Sequence, residues 1–348
     1  MRPSVSTEPR GPALLVAQTS FLGDVVLTTP LVSALRGRLA PRRLALLVRP
    51  EAVPLVAGHP DVDAVLVDDK RGRDRGPLGL LRTARRLRRE RFDLVVSPHR
   101  SFRTALMLAV AGIPRRVGFR TSRGALFYHE TVPRDPRRHD VERNLALLGP
   151  FGATETAPRL HLPVSPEAAR QAAALLPDGT GPLVGIAPGS VWPTKRWTPA
   201  GFAAVVRRLV DEGVRCVLLG APTEVALAEE ISALAGGRVP VLAGRTPLDV
   251  LVAVIDRLDL LVSNDSAPMH IACARGTQVV AVFCATTPAL GYGPYGPGTT
   301  VVDVALDCRP CARHGGRSCP RGTEDCMRLV EPDAVLAAAR AALGRARA

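Results

Sequence analysis

Short runs of aliphatic and β-branched residues alternate with longer helical patterns along the chain, and this alternation occurs twice. A buried strand followed by a helix, repeated several times, is typical of a parallel α/β sheet. The first series predicts strands at 13–17, 44–48, 64–67, 92–97 and 116–119, with helices at 24–39, 78–89 and 102–111. The second predicts strands at 183–187, 214–220, 240–242, 260–263 and 279–283, with helices at 199–212, 224–235, 248–258 and 267–275. The sequence therefore predicts an α/β fold with two doubly wound, Rossmann-like sheets.

A stretch of different composition separates the two series. Residues 151–182 are rich in Pro, Ala, Thr and Gly and carry one helical pattern at 166–176, so we expect a linker region here. A chain of 348 residues is long enough for two domains. We expect one domain over 1–165, a second over 166–330, and a final helix over 331–348. Ligands of open α/β sheets bind beyond the carboxyl ends of the strands, so we expect a binding cleft between the domains.

The chain is strongly basic, with 46 Lys and Arg against 32 Asp and Glu and a net charge of +14. Only Lys70 and Lys195 are lysines, so the excess is almost entirely arginine. The densest run, 70–91, predicts an amphipathic helix in its later part. Two interpretations stay open, a solvated arginine-rich surface or an anionic partner such as a nucleic acid, a phosphorylated lipid or a nucleotide. The run lacks interleaved aromatic residues, which argues against base stacking.

The apolar runs are all short. The polar N-terminus does not have the pattern of a secretory signal, and no run of about 18 apolar residues occurs. We therefore expect a cytoplasmic protein, with peripheral contact at the inner face of a membrane as an open alternative.

The segment 19–24 (TSFLGD) follows the first predicted strand directly. It places polar residues, a glycine and the carboxylate of Asp24 at a strand-to-helix turn. Asp24 is either an N-cap or a general base that takes a proton from a hydroxyl group.

The segment 187–197 (APGSVWPTKRW) follows the first strand of the second series and leads into a helix. Glycine and small hydroxyl residues before a helix favour phosphate binding, and Lys195 adds a mobile positive charge. A lysine in a chain with only two of them indicates a specific requirement at this position.

The segment 263–270 (SNDSAPMH) lies at the end of a predicted strand and opens a helix. Free backbone N–H groups at such a helix start suit a diphosphate. We expect Asp265 to cap this helix and His270 to lie about one turn inside it.

Four cysteines, Cys308, Cys311, Cys319 and Cys326, occur within 19 residues. Structural zinc, disulfides and free thiols all stay open, because the gaps between the cysteines do not match a standard pair of zinc knuckles. The other three cysteines, at 216, 273 and 284, lie in apolar runs and are predicted to be buried thiols.

Taken together, these segments resemble the ADP-heptose:lipopolysaccharide heptosyltransferases, glycosyltransferase family nine. The matching segments, in chain order, are TSFLGDVVLTTPLVSALR, RRVGFR, HDVERNLALL, APGSVWPTKRW, VLLGAPTE and NDSAPMHIA. The resemblance spans roughly 14–330, and the cysteine-rich tail is most similar to the heptosyltransferase II branch.

This resemblance implies a GT-B fold with an interdomain cleft and an inverting transfer that requires no cofactor. It implies that Asp24 is the catalytic base. It implies donor binding by Ser190, Lys195, Glu224, Asp265, Ser266, Ala267 and His270, and acceptor binding by Arg116, Arg120 and Arg143. The chain departs from the family pattern at Ala267, where glycine is frequent, and at Phe21, where a smaller residue is common.

The resemblance also implies the partners, an ADP-heptose donor and the anionic inner core of lipopolysaccharide as acceptor. Three rival interpretations are a nucleotide-sugar 2-epimerase on the same fold, a family relative that uses another sugar or acceptor, and a catalytically silent relative. A nucleic-acid binder is disfavoured, because the sequence resembles no known nucleic-acid module.

Overall fold

The computed structural model describes residues 11–154 and 159–346. The chain divides into two compact units, the first ending at Pro163 and the second beginning at Val164. Each unit is built around one parallel β-sheet.

The first unit contains a six-stranded sheet with the order β3-β2-β1-β4-β5-β6. All of its paired strands are parallel. Its strands are β1 (Ala13–Ala17), β2 (Arg43–Val48), β3 (Ala64–Val67), β4 (Leu94–Ser97), β5 (Arg115–Phe119) and β6 (Glu130–Val132). The sequence pattern missed β6, which has only three residues. The chain order reverses at β1, so the loops after β1 and β4 diverge there, where such sheets bind ligands.

The α-helices of the first unit lie between or after the strands. They are α1 (Leu22–Val26), α2 (Thr29–Leu39), α3 (Val53–Val56), α4 (Gly76–Arg89), α5 (Phe102–Val110) and α6 (Asp140–Leu145). Two of them, α3 and α6, were not predicted from the sequence. The helix expected over 24–39 is in fact two helices that meet at Leu27 and Thr28. Pro30 explains the break, because its ring lacks an N–H and clashes with the carbonyl four residues earlier in a continuous helix.

The second unit contains a five-stranded sheet with the order β11-β10-β9-β7-β8. Its paired strands are also all parallel, and they are β7 (Leu183–Ala187), β8 (Arg215–Leu218), β9 (Leu260–Asn264), β10 (Gln278–Val282) and β11 (Thr299–Val302). The strand expected at 240–242 is reduced to a single bridge between Leu218 and Val241. The edge strand β11 was not predicted from the sequence.

The α-helices of the second unit are α7 (Pro166–Leu175), α8 (Pro199–Asp211), α9 (Val225–Leu234), α10 (Leu248–Asp256), α11 (Ala267–Arg275), α12 (Asp325–Arg328) and α13 (Pro332–Ala346). The predicted C-terminal helix therefore corresponds to α13. It packs on α8 and β10, with Val335, Leu336 and Ala339 buried. Of the linker expected over 151–182, residues 155–158 lie outside the described residues, and α7 occupies its later part.

The strand interiors of both sheets are apolar and buried. β1, β7 and β9 are buried along their full length, which is the pattern of strands covered on both faces. In register, Val16 of β1 lies beside Val96 of β4, and Ala187 of β7 lies beside Ser263 of β9. The loops that follow these strands therefore begin at a common edge of each sheet. No helix among the described residues is long and apolar enough to cross a bilayer.

Candidate functional site

Asp24 is held at the carboxyl edge of the first sheet. It occupies the third position of α1, and its Oδ2 accepts hydrogen bonds from Ser20 Oγ at 2.7 Å and from the Phe21 N–H at 3.1 Å. The interpretation of Asp24 as an N-cap residue is therefore wrong, because Phe21 is the N-cap. Its carboxylate nevertheless binds the N-cap N–H, so it has a structural contact besides any chemical role. Both of these contacts use Oδ2.

The carboxylate of Asp140 contributes to a shift in the pKa of Asp24. Desolvation, followed by the negative charge of Asp140, raises the pKa of the Asp24 carboxyl above its ordinary value, while the hydrogen bonds from Ser20 and Phe21 and the charge of Arg134 act in the opposite direction. Asp140 is 4% exposed and pairs with the Arg134 guanidinium. A carboxylate with a raised pKa is a stronger base than an ordinary one, which suits proton abstraction.

Lys70 lies beside the loop that leads to Asp24 and was not selected from the sequence. Its Nζ donates to the backbone carbonyl of Thr19 at 2.5 Å, so the ammonium group contacts the loop that contains Ser20. Desolvation and the positive charge of Arg49 lower the pKa of Lys70 to about 8, although Asp68 acts in the opposite direction. The signal that could have identified it was its rarity, since it is one of only two lysines.

His99 lies beside the same loop. Its Nδ1 is 3.0 Å from Thr19 Oγ1 and 3.0 Å from Thr104 Oγ1. Burial, together with the positive charges of Lys70 and Arg100, lowers the pKa of His99 to about 3, so the ring is neutral at physiological pH. A neutral ring among cations holds the loop in place without adding another positive charge.

The three arginines expected at the acceptor occupy different environments. Arg120 follows the carboxyl end of β5 and is exposed. Arg116 lies near the amino end of β5, and its guanidinium donates to the carbonyls of Ile113 and Phe127. Arg116 therefore lies at the opposite end of β5 from the carboxyl edge of the sheet, where Asp24 lies. This position does not support its expected acceptor role.

Arg143 is also a structural arginine. It is 2% exposed, donates to the carbonyls of Asp135 (3.0 Å) and Pro136, and lies 3.7 Å from Asp140. A guanidinium that is enclosed in this way holds α6 and its preceding loop together, and it is not presented to solvent. Its environment favours support of Asp140 over direct acceptor contact.

Lys195 and Asp265 meet at the carboxyl edge of the second sheet. Lys195 Nζ lies 2.7 Å from Asp265 Oδ2, and Thr286 Oγ1 donates to the same oxygen at 2.6 Å. The two side chains are 14% and 6% exposed. The structure thus joins two of the predicted donor residues, which come from loops 70 residues apart in the chain. Asp265 does not cap α11 as expected, because Ser266 is the N-cap residue.

Asn264 ties these loops together and was not selected from the sequence. Its Oδ1 accepts from the Trp197 N–H at 3.0 Å, and its Nδ2 donates to the Pro188 carbonyl at 2.6 Å. The end of β9 therefore fixes both ends of the loop that carries Lys195. An asparagine suits this position because one amide both donates and accepts.

Glu224 lies over the loop after β7. Its Oε2 accepts from the Ala221 N–H at 2.9 Å, and a Cβ added at Gly189 would lie 2.0 Å from Glu224 Oε1. A side chain at 189 would therefore displace the Glu224 carboxylate from its present position. Ser190 is buried and its carbonyl accepts two bonds from Arg196, at 2.8 and 2.6 Å.

The start of α11 completes the predicted donor segment. Ser266 precedes the first turn, Ala267 opens it, and His270 lies one turn inside, as expected, with 5% exposure. Ser266 makes no side-chain capping bond to the helix. The first backbone N–H groups of a helix carry partial positive charge, so this terminus suits an anion.

The cysteine-rich segment packs against the Lys195 loop. Thr194 Oγ1 accepts from the Gly316 N–H at 2.8 Å and donates to the Gly316 carbonyl at 3.1 Å. Arg309 donates to the carbonyls of Phe283 and Thr286, at 3.0 and 2.8 Å, and so braces the loop that contacts Asp265. This segment therefore stabilises the loop that carries Lys195 and the loop that contacts Asp265.

No disulfide bond joins any of the four cysteines of that segment, all of which lie within the described residues. Backbone N–H groups of Glu324 and Arg321 lower the pKa of Cys319, whereas desolvation and the neighbouring thiols raise the pKa of Cys326 to about 11. Within the ranges 11–154 and 159–346, no group of three or more His, Cys, Asp or Glu side chains is arranged to hold a metal ion. In this described part of the chain, the cysteine side chains are therefore not arranged as a metal centre.

Comparisons with known proteins establish the family and the fold of the chain. The family model described as glycosyltransferase family 9 (heptosyltransferase) matches residues 80–319. Lipopolysaccharide heptosyltransferase 2 of Escherichia coli K12 is 28% identical over 291 residues, which cover 79% of this chain and 83% of that protein. A glycosyl transferase family 9 structure from Veillonella parvula superposes with a TM-score of 0.86 at 25% identity, covering 96% and 98% of the two chains. The structure of E. coli ADP-heptose lps heptosyltransferase II gives a TM-score of 0.80 at 24% identity, covering 97% and 100%. These neighbours share the GT-B fold, so the fold expectation is confirmed, and because the family model spans most of the chain, the protein belongs to glycosyltransferase family 9.

Proposed function

We propose that the protein transfers a heptose from ADP-heptose to the anionic inner core of lipopolysaccharide, with inversion at the anomeric carbon. The observation that carries this proposal is the pair of charged sites at the carboxyl edges of two Rossmann-like sheets in a family 9 chain. One edge holds a carboxylate with a raised pKa, and the other holds a lysine beside a helix start. The related E. coli protein is named a lipopolysaccharide heptosyltransferase, which supports lipopolysaccharide as the acceptor. The similar E. coli structure is described as an ADP-heptose lps heptosyltransferase II, which supports ADP-heptose as the donor.

The first unit supplies the base and the acceptor subsite. The acceptor hydroxyl gives its proton to Asp24 while its oxygen forms a bond to the anomeric carbon of the heptose. The bond from that carbon to the donor phosphate oxygen breaks at the same time, and its electron pair leaves with ADP. Lys70 and the exposed Arg120 supply positive charge for a phosphorylated or carboxylated acceptor.

The second unit stabilises the leaving group. ADP gains negative charge as it departs, and preorganised positive charge lowers the energy of that transition state. Lys195 supplies a mobile ammonium, and the start of α11 at Ser266 and Ala267 supplies backbone N–H groups. Glu224 is proposed to accept hydrogen bonds from the ribose, and Ser190 and His270 to line the donor subsite.

The test is an assay with ADP-heptose and a lipopolysaccharide acceptor that lacks heptose. We expect ADP release and acceptor glycosylation together, each dependent on both substrates. A 2-epimerase would convert the donor without any acceptor, so conversion in the donor-only reaction would overturn the proposal. A catalytically silent relative would bind ADP in calorimetry and turn over neither mixture.

We propose a structural role for the four-cysteine segment, and no step of the transfer passes through a metal. Zn²⁺ is the ion that four thiolates favour, so elemental analysis of protein prepared without chelators tests for structural zinc directly. About one equivalent would establish zinc in solution, and its absence together with four titratable thiols would establish free cysteines. In either case we expect EDTA to leave the initial rate of transfer unchanged.

The proposed acceptor is part of a membrane lipid, so we also propose that the enzyme works in peripheral contact with that membrane.

A further inference from the structure

The outer face of α4 combines leucine and arginine side chains. Leu78 is 76% exposed and Leu81 is 37% exposed. They lie on one stripe of the helix, since residues three, four and seven apart share a face. The same stripe continues through exposed arginines to the end of the helix: Arg82, Arg85, Arg88 and Arg89. The opposite stripe, with Leu80, Ala84 and Leu87, is buried on the sheet.

Positive charge is concentrated in this part of the molecule. Residues 70–91 contain ten basic and two acidic residues, so they contribute +8 of the +14 net charge of the chain. Both acidic residues are already engaged, because Asp74 is fully buried beneath Arg86 and Glu90 pairs with Arg43 at 2.6 Å. The sequence of α4 itself contains no acidic residue. Its outer face therefore presents guanidinium groups with no carboxylate on the helix to neutralise them.

This combination of side chains fits one partner better than others. Anionic phospholipid headgroups attract each nearby Arg, and exposed leucines insert among the acyl chains just below the headgroups. Single-stranded nucleic acid is less suited, because this face has no aromatic side chain on which bases could stack. We propose that the outer face of α4, together with the loop 71–75 that precedes it, docks on an anionic phospholipid surface.

The location of this face agrees with the proposed function, on which this part of the argument rests. The charged run begins at Lys70, whose Nζ contacts the Thr19 carbonyl next to the Asp24 loop. Arg71, the next residue, is exposed and close enough to Arg49 to lower the pKa of that guanidinium. Docking through this face would therefore bring the acceptor subsite of the first unit close to the headgroup layer, where a lipid-anchored acceptor presents its sugars.

The experiment is co-sedimentation of the full chain with vesicles of phosphatidylcholine alone or with 30% phosphatidylglycerol added, at two salt concentrations. We expect binding to the anionic vesicles that weakens with salt. The double variant Arg85→Gln/Arg89→Gln should lower the partition coefficient about 10- to 30-fold, since each basic residue near such a surface contributes roughly fivefold. Its matched control is Arg207→Gln/Arg257→Gln, which removes two exposed arginines from the second unit and should change partitioning less than about twofold.

A second pair of variants tests insertion. Leu78→Glu should weaken vesicle binding, whereas Leu234→Glu, at a leucine of the second unit that is 49% exposed, should not. Equal losses in the test and control variants would overturn the proposal, as would the absence of binding to anionic vesicles. Retention on single-stranded RNA that depends on Arg85 and Arg89, without vesicle binding, would assign the face to nucleic acid.

The docking proposal and the proposed function fail separately. With a water-soluble acceptor fragment, the α4 variants should keep the kcat and acceptor KM of the unmodified protein. If no transfer occurs with any acceptor while vesicle binding still depends on α4, the proposed function fails and the docking surface stands.

Discussion

The carboxyl edges of the two sheets hold their charged residues in opposite ways. In the second unit, Lys195 is already opposite Asp265, and Thr286 and Asn264 fix the surrounding loops. In the first unit, Lys70 donates to a backbone carbonyl and is surrounded by other cations, and Asp24 lies in the field of a second carboxylate. In the second unit, Lys195 and Asp265 therefore neutralise each other. In the first unit, neighbouring charges and burial instead shift the pKa values of Asp24 and Lys70. We infer that the second unit is preorganised for one ligand chemistry, and that the first is poised to exchange protons and to attract an anion.

Asp24→Asn should have the largest effect. Asparagine keeps an oxygen for the Ser20 and Phe21 hydrogen bonds but cannot take the acceptor proton. We expect kcat to fall about 10²- to 10⁴-fold, the usual contribution of general-base catalysis. ADP affinity by calorimetry and the melting temperature should change little, because the helix contact survives. Near-normal turnover would show that Asp24 serves only the helix start.

Two variants of the Lys195–Asp265 ion pair separate its effect on ADP binding from its effect on the melting temperature. Lys195→Met should weaken ADP binding by about 1–3 kcal/mol, the range for a lost charge-assisted hydrogen bond. It should also lower the melting temperature, because Asp265 is then a buried charge without its counter-ion. Adding Asp265→Asn should recover the melting temperature without restoring ADP affinity. If affinity recovers as well, the ammonium does not contact the donor and only organises the loop.

A variant at Lys70 tests the proposed acceptor subsite of the first unit. Lys70→Gln should raise the acceptor KM about tenfold, consistent with one charge-assisted contact, and leave the donor KM unchanged. The pKa of Lys70 is lowered to about 8, so its charge is present below that pH and is lost as the pH rises through it. In the unmodified protein, kcat/KM for the acceptor should therefore decline above about pH 8. The Lys70→Gln variant should lack this alkaline decline, and a decline that persists would assign it to another group.

The smallest expected effect concerns Asp140. Its negative charge raises the pKa of Asp24, so Asp140→Asn should lower that pKa and move the acid limb of the kcat profile to lower pH. The positive charge of Arg134 acts in the same direction, because it stabilises the ionised form of Asp24 and the negative charge of Asp140 no longer offsets it. A pH–rate profile that does not move, in a variant that folds normally, would show that the two carboxylates are not coupled.

Much of the fold followed from the sequence because buried parallel strands leave clear apolar runs. The strands that escaped prediction are the short edge strands β6 and β11, which have three and four residues and only partly buried side chains. The short helices α3, α6 and α12, of four to six residues, also escaped prediction. The break at Pro30 could have been predicted, since proline is incompatible with a helix interior. The predicted charged segments did fall at the sheet edges, because polar residues that follow a buried strand have few other places to lie.

The sequence could not supply the partners of those residues. Lys195 and Asp265 come from different loops, and nothing in the spacing shows that Thr286 donates to the same oxygen. Arg116 was chosen by composition and resemblance, but whether its side chain faces solvent or two carbonyls depends on its place along β5. Asn264 was overlooked because an amide beside an aspartate is an ordinary turn residue until its two backbone partners are known.

The reciprocal bonds between Thr194 and Gly316 also have a consequence for synthesis on the ribosome. The two residues are 122 positions apart, so at about 5–20 residues per second Gly316 is made roughly 6–24 s after Thr194. The ring N–H of Trp197 donates to the Val330 carbonyl, and Val330 is made later still. The Asp24 loop, by contrast, is held by hydrogen bonds with Ser20, Phe21 and Lys70 of the first unit, so it can be complete while the second unit is still being translated. A nascent chain stalled before residue 316 would therefore contain the base in its final setting, while the loop that carries Lys195 would still lack its supports from the cysteine-rich segment.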